Sequence, residues 1–282
     1  MDITYLNHEA VLKILPDRDP WGHKGRFGRI LLLCGSRGFT GAAYFAAMGA
    51  LRSGAGLSFL GVPESIYDIE AVKLNEPVVF PLPDEDGKLS PFAVPEIIRR
   101  IPQMDAVLIG CGLGQSEGVF SAVKAVLEEA KCPVVLDADG INVLKGHKNI
   151  LRGRTYPTIM TPHDGEFLRF GGTIGDNRME SAAYYSLDWN SIILLKGHRT
   201  CITDGWTGYI NETGNPGMAV GGSGDVLAGI LVSLLGQGLE PLKAAACAAW
   251  IHGAAGDLCA EEIGQYGMLP SDMLMRIPRL MK

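Results

Sequence analysis

The chain has 282 residues, 47% of them hydrophobic and 20% charged, a balance that supports a packed core and argues against intrinsic disorder. Lys and Arg number 25 against 31 Asp and Glu, a net charge of -6; without a basic run this argues against a nucleic-acid partner. The N-terminus shows no basic segment followed by an apolar stretch, and no uncharged run approaches the roughly 20 residues of a membrane span, so a cytoplasmic protein without a membrane partner is expected.

Taken in chain order, short apolar runs recur at 29–34, 57–61, 106–110, 133–137, 158–161 and 192–196. Most are apolar throughout rather than alternating, the pattern of parallel strands covered on both faces. Ala-rich or amphipathic stretches lie between them, at 41–52, 119–130 and 180–187. That alternation predicts an α/β fold, a doubly wound and mostly parallel central sheet with helices on both faces. After Lys196 the pattern changes, and 200–203 and 207–211 flank Asp204-Gly205, a hairpin signal. Helices are expected over 225–235 and 242–263, the second apolar on nearly all sides and therefore read as core rather than as a subunit interface. No internal repeat or shift in composition divides the chain, so a single domain over 1–282 is expected.

Six cysteines, Cys34, Cys111, Cys132, Cys201, Cys247 and Cys259, form no Cys-x-x-Cys pair and have no His at zinc-site spacing. They read as small buried hydrophobes of a reducing compartment.

Ligands of open α/β sheets bind beyond the carboxyl ends of the strands, and five such ends carry unusual residues. Gly35-Ser36-Arg37-Gly38-Phe39-Thr40-Gly41-Ala42-Ala43 is a glycine loop opening a helix, with neither dinucleotide-binding nor P-loop spacing. It suits an anion site at a helix N-terminus or a plain tight turn. Gly110-Cys111-Gly112-Leu113-Gly114 suits close approach to a flat or charged ligand, or a turn that needs positive φ. Asp137 and Asp139, in Asp137-Ala138-Asp139-Gly140-Ile141-Asn142, could hold a cation or a sugar hydroxyl, or cap the next helix. In Thr161-Pro162-His163-Asp164-Gly165-Glu166-Phe167, His163 or Asp164 suits a helix cap or a ligand contact. Lys196, at the head of Lys196-Gly197-His198-Arg199-Thr200, is either solvated or paired with a phosphate.

The strongest signal is Gly221-Gly222-Ser223-Gly224-Asp225, ahead of a helix expected to begin at Asp225. Successive N–H groups of Gly222, Ser223 and Gly224 can form an anion cradle reinforced by the helix dipole. Asp225 stabilises a first helical turn whatever its role. As a catalytic base it would take a proton from a hydroxyl while the cradle holds developing phosphate charge.

Together these motifs resemble the ribokinase-like superfamily, in which a Gly-x-Gly-Asp element forms an anion hole and supplies the base. Within it the chain is similar to the ADP-dependent (S)-NAD(P)H-hydrate dehydratases, through the motifs above together with Thr213-Gly214-Asn215-Pro216-Gly217-Met218-Ala219 and Leu269-Pro270-Ser271-Asp272. The matches run in order from about Gly25 to Asp272. Cys111 and Asp164 stand where that family often has proline, and Asp139-Gly140-Ile141 replaces its usual Asp-Ala-Leu.

The resemblance implies a metabolite-repair enzyme that returns (S)-NADHX and (S)-NADPHX to NADH and NADPH. The ring hydroxyl would be phosphorylated by ADP, or ATP, with Mg2+ alongside, and phosphate then eliminated. Asp225 would be the base, with Gly222, Ser223 and Gly224 holding the transferred phosphoryl group. Lys196, Gly197, His198, Arg199 and Thr200, with Gly224, would line the nucleotide site. Ala42, Gly112, His163, Asn142 and Asp225 would contact the hydrated dinucleotide, and no protein metal ligand is assigned. A homo-oligomer, as a tetramer, is expected. Some relatives carry a fused epimerase domain before the matching segment, so an epimerase is expected here as a separate protein. The rival expectation is a small-alcohol kinase of the same superfamily, acting on a thiazole or pyrimidine alcohol, which the same base and cradle would serve. A nucleotide-sensing module without turnover has no evident use for a base beside an anion hole.

Overall fold

The computed structural model describes residues 2–282 and gathers the apolar runs into one ten-stranded sheet. Its first strands are β1 (Asp2–Tyr5), β2 (Arg29–Leu33), β3 (Leu57–Pro63) and β4 (Val78–Leu82). A separate two-stranded hairpin, β5 (Asp84–Glu85) and β6 (Lys88–Leu89), follows. The sheet continues with β7 (Ala106–Ile109), β8 (Val134–Leu136), β9 (Thr158–Met160), β10 (Ile192–Leu195), β11 (Thr200–Thr203) and β12 (Thr207–Asn211).

The order across it is β1-β12-β11-β10-β9-β8-β7-β2-β3-β4. Neighbours are parallel except at β11, which runs antiparallel to both β10 and β12. The eight runs read as strands are all present. Two edge strands complete the sheet: β1 is exposed along its length and carries no such signal, and β4 is an apolar run broken by Pro81, which an edge tolerates because one side needs no ladder partner.

Helices cover both faces. They are α1 (His8–Ile14), α2 (Thr40–Arg52), α3 (Glu64–Lys73), α4 (Val94–Arg100), α5 (Glu117–Glu129) and α6 (Asp139–Asn142). The second half adds α7 (Lys148–Arg152), α8 (Asp164–Arg169), α9 (Arg178–Trp189), α10 (Ser223–Gly236), α11 (Pro241–Glu262) and α12 (Pro270–Arg276). Alternate side chains of one strand feed two cores: Ile30 and Leu32 of β2 belong to the one that includes α2, α10 and α11, whereas Leu31 and Leu33 belong to the one that includes α4, α5 and α9. A strand buried on both faces must be apolar throughout, which is why these runs do not alternate. The apolar helix α11 is buried within this chain along most of its length, so its composition is that of core.

From β2 the chain winds to β3 and β4 on one side, then crosses to β7 on the other side of β2 and proceeds to β8, β9 and β10. The winding reverses between β2 and β7, where a doubly wound sheet opens a crevice at its carboxyl edge. Over that crevice α2 and α10 lie backbone to backbone. A Cβ on Gly49 would stand 2.7 Å from the Val226 carbonyl oxygen, and one on Gly229 would overlap that of Ala46. Only glycine permits so close an approach.

Candidate active site

The loops after β2 and β7 are tied together across the crevice. Gly35 N–H donates to the Cys111 carbonyl at 2.8 Å, and the Ser36 hydroxyl to that of Gly112 at 2.7 Å. Gly112 has φ of 63°, and a Cβ there would be 2.6 Å from Ala42 Cβ. The structure thus brings Ala42 and Gly112 together. The loop after β8 joins them through Asp139, whose Oδ2 accepts from Gly114 N–H at 2.8 Å. Neither Asp137 nor Asp139 caps α6; the residue at that cap is Ala138, held at φ of 45°. A non-glycine residue in that region is strained, as backbones beside functional groups often are.

Asp137 is buried and fully engaged. Its Oδ1 accepts from Thr161 Oγ1 at 2.6 Å and Lys196 Nζ at 2.9 Å, and its Oδ2 from Cys111 Sγ at 3.4 Å. Lys196 Nζ also lies 3.8 Å from Glu166 Oε2. Burial pulls the Lys196 ammonium down, but the charges of Asp137 and Glu166 outweigh it and hold the pKa above the ordinary lysine value. Lys196 is therefore paired with a protein carboxylate rather than solvated.

His163 caps α8. Its Nδ1 accepts from the N–H groups of Gly165 (3.0 Å) and Glu166 (3.3 Å), while Glu166 Oε2 accepts from His163 N–H at 2.9 Å. The accepting Nδ1 assigns the ring proton to Nε2, and the side chain remains 52% exposed. Capping and ligand contact, alternatives from sequence, are compatible in one ring. Asp164 instead receives Arg178 Nη1 at 2.6 Å, and Arg178 Nη2 donates to the Lys196 carbonyl at 3.1 Å, fixing the end of β10.

The remainder of the Lys196 loop stands apart. Thr200 Oγ1 closes it by donating to the Gly197 carbonyl at 2.9 Å; Gly197, His198 and Arg199 are exposed. Arg199 reaches Glu212 and the Tyr5 hydroxyl, each at 3.2 Å, at the β1–β12 edge. Of the residues assigned to the nucleotide, Lys196 and Gly224 are brought together, Lys196 Nζ standing 3.5 Å from where a Gly224 Cβ would be.

Helix α10 begins at Ser223, two residues earlier than its sequence suggested, with Gly222 as N-cap at φ of 99°. This leaves the first-turn N–H groups of Gly224 and Asp225 without helical acceptors, the anion-binding end of a helix. The preceding loop is anchored to α11: Asp257 accepts from Gly214 N–H at 2.8 Å and Asn215 Nδ2 at 3.0 Å. His252 of α11 donates from Nε2 to the Ser223 carbonyl at 2.8 Å. Burial pushes the His252 pKa down to about 4, so the ring is neutral at physiological pH.

Asp225 sits at the centre. Burial first, and the neighbouring Asp137 charge second, raise its pKa to about 7, against the opposing influence of Cys111 and Lys196. A carboxyl poised near neutrality suits a general base, which must both hold and release a proton at working pH. The polar atoms of Cys111, Asp137 and Asp225 lie within 4.8 Å of one another. A thiol and a carboxylate already paired with an ammonium suit a hard cation poorly, so an all-protein magnesium cage does not fit here.

Asn142 lies further out along the same edge, its Oδ1 accepting from Arg169 Nε at 3.4 Å. Sequence reasoning missed Thr161, Glu166, His252 and Asp257 as parts of the site. His252 and Asp257 had one available signal, polar residues inside the otherwise apolar α11. A cavity of about 290 Å³ lined by Arg154, Thr158, Asn190 and Trp206 opens at the opposite, amino end of β9 and β10, away from these loops.

A doubly wound sheet with an aspartate in the first turn of a helix set over its carboxyl edge is the ribokinase-like architecture. Ribokinase of Arabidopsis thaliana shares the fold at a TM-score of 0.56 and 14% identity, over 90% of this chain and 99% of that one. The chain belongs to the NAD(P)H-hydrate dehydratase family, which its residues 30–279 match. It is 35% identical to the ADP-dependent (S)-NAD(P)H-hydrate dehydratase of Bacillus subtilis, with 100% of this chain and 99% of that one covered. A crystal structure of ADP/ATP-dependent NAD(P)H-hydrate dehydratase from Bacillus subtilis, co-crystallised with ATP/Mg2+, superposes with a TM-score of 0.86 at 33% identity, covering 99% and 98% of the two chains. The bifunctional NAD(P)H-hydrate repair enzyme Nnr of Moorella thermoacetica is 44% identical over 275 residues, 95% of this chain and 52% of that one. The chain thus spans about half the length of the bifunctional relatives.

Proposed function

We propose that this protein dehydrates (S)-NADHX and (S)-NADPHX to NADH and NADPH in a nucleotide-dependent reaction, with Asp225 as base. The observation that carries this reading is the placement of the Asp225 carboxyl in the first turn of α10, beside the Gly222–Gly224 amides and Lys196, where burial and the Asp137 charge raise its pKa toward neutrality. Asp225 takes the proton of the ring hydroxyl as that oxygen bonds to the terminal phosphorus of ADP, and AMP leaves. The N–H groups at the start of α10 hold the charge developing on the phosphoryl oxygens. The ring C–O bond then breaks, phosphate departs with the electron pair, and loss of a neighbouring C–H proton restores the double bond.

Ala42, Gly112, His163 and Asn142 contact the hydrated dinucleotide in this reading, and Lys196 with the 197–200 loop faces the nucleotide. Mg2+ enters as a companion of the nucleotide phosphates, neutralising their charge when bound. ADP rather than ATP as donor, a cytoplasmic location, a homo-oligomer and a functional link to an epimerase complete the proposal. Family membership favours dehydration over small-alcohol phosphorylation.

The test mixes the purified protein with hydrated NADH, Mg2+ and ADP or ATP and follows the NADH absorbance band, with Asp225→Asn alongside. A rise with one nucleotide, reduced roughly 10²–10⁴-fold in the variant, is expected when a general base is removed. Phosphorylation of an alcohol without recovery of NADH would replace this reading with the kinase.

A further inference from the structure

Beyond the base and its anion cradle, the carboxyl edge of the sheet carries a second cationic feature. A cavity of about 160 Å³ lies between the loop after β7, the end of α6 and the end of α8, lined by Gln115, Asn142, Lys145, Arg169 and Phe170. In a protein of net charge -6, two cations share this small space. Among the described residues neither Lys145 nor Arg169 forms an ion pair. The Arg169 guanidinium has one side-chain acceptor, the Asn142 amide oxygen at 3.4 Å, which carries no charge. A guanidinium fork and an ammonium without carboxylate partners match a phosphate group.

The cavity is continuous with the substrate-contact residues. A Cβ on Gly165 would stand 3.2 Å from Arg169 Nη1 and 2.8 Å from His163 Cε1, so guanidinium and imidazole flank one glycine. On its other side Arg169 meets Asn142. Gln115 follows Gly114, whose N–H is tied to Asp139, and the chain leads back through Leu113 to Gly112. A track therefore runs from Cys111, which adjoins Asp225, past Gly112 to Asn142, Arg169 and Lys145.

We infer that Lys145 and Arg169 form a subsite for a phosphate group of the dinucleotide substrate, remote from the reacting ring. The inference rests on the dehydratase reading. The dinucleotide offers two sources of this chemistry: the pyrophosphate, present in both forms, and the 2′-phosphate, present only in the NADP form. Held there, the remote phosphate anchors the substrate while Asp225 acts on the ring.

The test measures binding of NADH, NADPH and ADP to wild type, Lys145→Ala, Arg169→Ala and the double variant by titration calorimetry. Both side chains are exposed, and unchanged ADP affinity reports an intact fold and nucleotide site. The double variant is expected to lose roughly tenfold or more in dinucleotide affinity, as for removal of charge-assisted hydrogen bonds, and to bind with a shallower salt dependence. Loss confined to NADPH identifies the 2′-phosphate, and equal loss for NADH and NADPH identifies the pyrophosphate. Unchanged affinity for both overturns the subsite. Failure of the dehydratase reading is a different result: NADPH binds in a Lys145- and Arg169-dependent manner, but hydrated NADH yields no NADH with either nucleotide.

Discussion

Lys196 Nζ lies 2.9 Å from Asp137 Oδ1, joining the end of β10 to the end of β8 across the intervening β9. The pair holds Lys196 beside the first turn of α10 and keeps the Asp137 charge close enough to Asp225 to raise its pKa.

Asp137→Asn should therefore act in two ways. It leaves a largely buried ammonium without its hydrogen-bonded carboxylate, with Glu166 at 3.8 Å and Asp225 nearby, and breaking one side of a buried pair costs about 3 kcal/mol or more. It also removes one of the two causes that lift Asp225, so the acid limb of the kcat/KM profile should move to lower pH. Denaturant melts and a pH–rate profile read the two effects separately; an acid limb that stays in place would exclude the Asp137 charge as a cause.

Asp225 imposes a stability cost in return for its poise. Its folded pKa of about 7 exceeds the ordinary 3.8, so between these values the folded state binds its proton more tightly than the unfolded state. Stability from this group falls as pH rises through that window and stays reduced above pH 7. Asp225→Asn should be more stable than wild type at pH 8, by about 4 kcal/mol at most. The gain should vanish below pH 4, and melting curves across that range would reveal its absence or presence.

His252 has the opposite slope. Its pKa of about 4 lies below the ordinary 6.5, so its contribution is complete above pH 6.5 and is lost as pH falls toward 4. His252→Gln retains a donor for the Ser223 carbonyl but cannot titrate. The variant should lose less stability than wild type between pH 7 and pH 4.5, and parallel losses would show that His252 is not protonated on unfolding in that range.

Gly112→Ala places a methyl group 2.6 Å from Ala42 Cβ at a φ of 63°. Strain of about 1–3 kcal/mol should fall on the loops after β2 and β7 together. The expected result is weaker dinucleotide binding with ADP affinity retained, since the nucleotide residues lie in the turn from β10 to β11 and on α10; equal loss of both would place Gly112 in the fold rather than in the substrate site.

Much of this was legible because it is local. Strands buried on both faces announce themselves as unbroken apolar runs, and Gly222 to Asp225 advertise a helix opening through composition alone. The start of α10 shifted by two residues because Gly222 caps through its backbone, at φ of 99°, without a side-chain signal. Edge strand β1 was illegible because it is exposed along its length and needs no apolar run, whereas β4 is apolar but carries Pro81, which speaks against a strand. Cys111 was read as a small buried hydrophobe; it is buried, yet its thiol touches Asp137, a contact set by the pairing of β7 with β8. The partnership of His252 with Ser223, 29 residues apart, depends on how α10 packs against α11, which no spacing encodes.

The backbone contact of α2 with α10 through Gly49 and Gly229 locks the helix that carries Ala42 to the helix that carries Asp225. Neither helix can slide or rotate without driving a carbonyl into its neighbour. Heating should consequently leave the catalytic geometry intact until the hydrophobic core itself gives way, so that thermal inactivation and loss of helical ellipticity coincide instead of inactivation coming first.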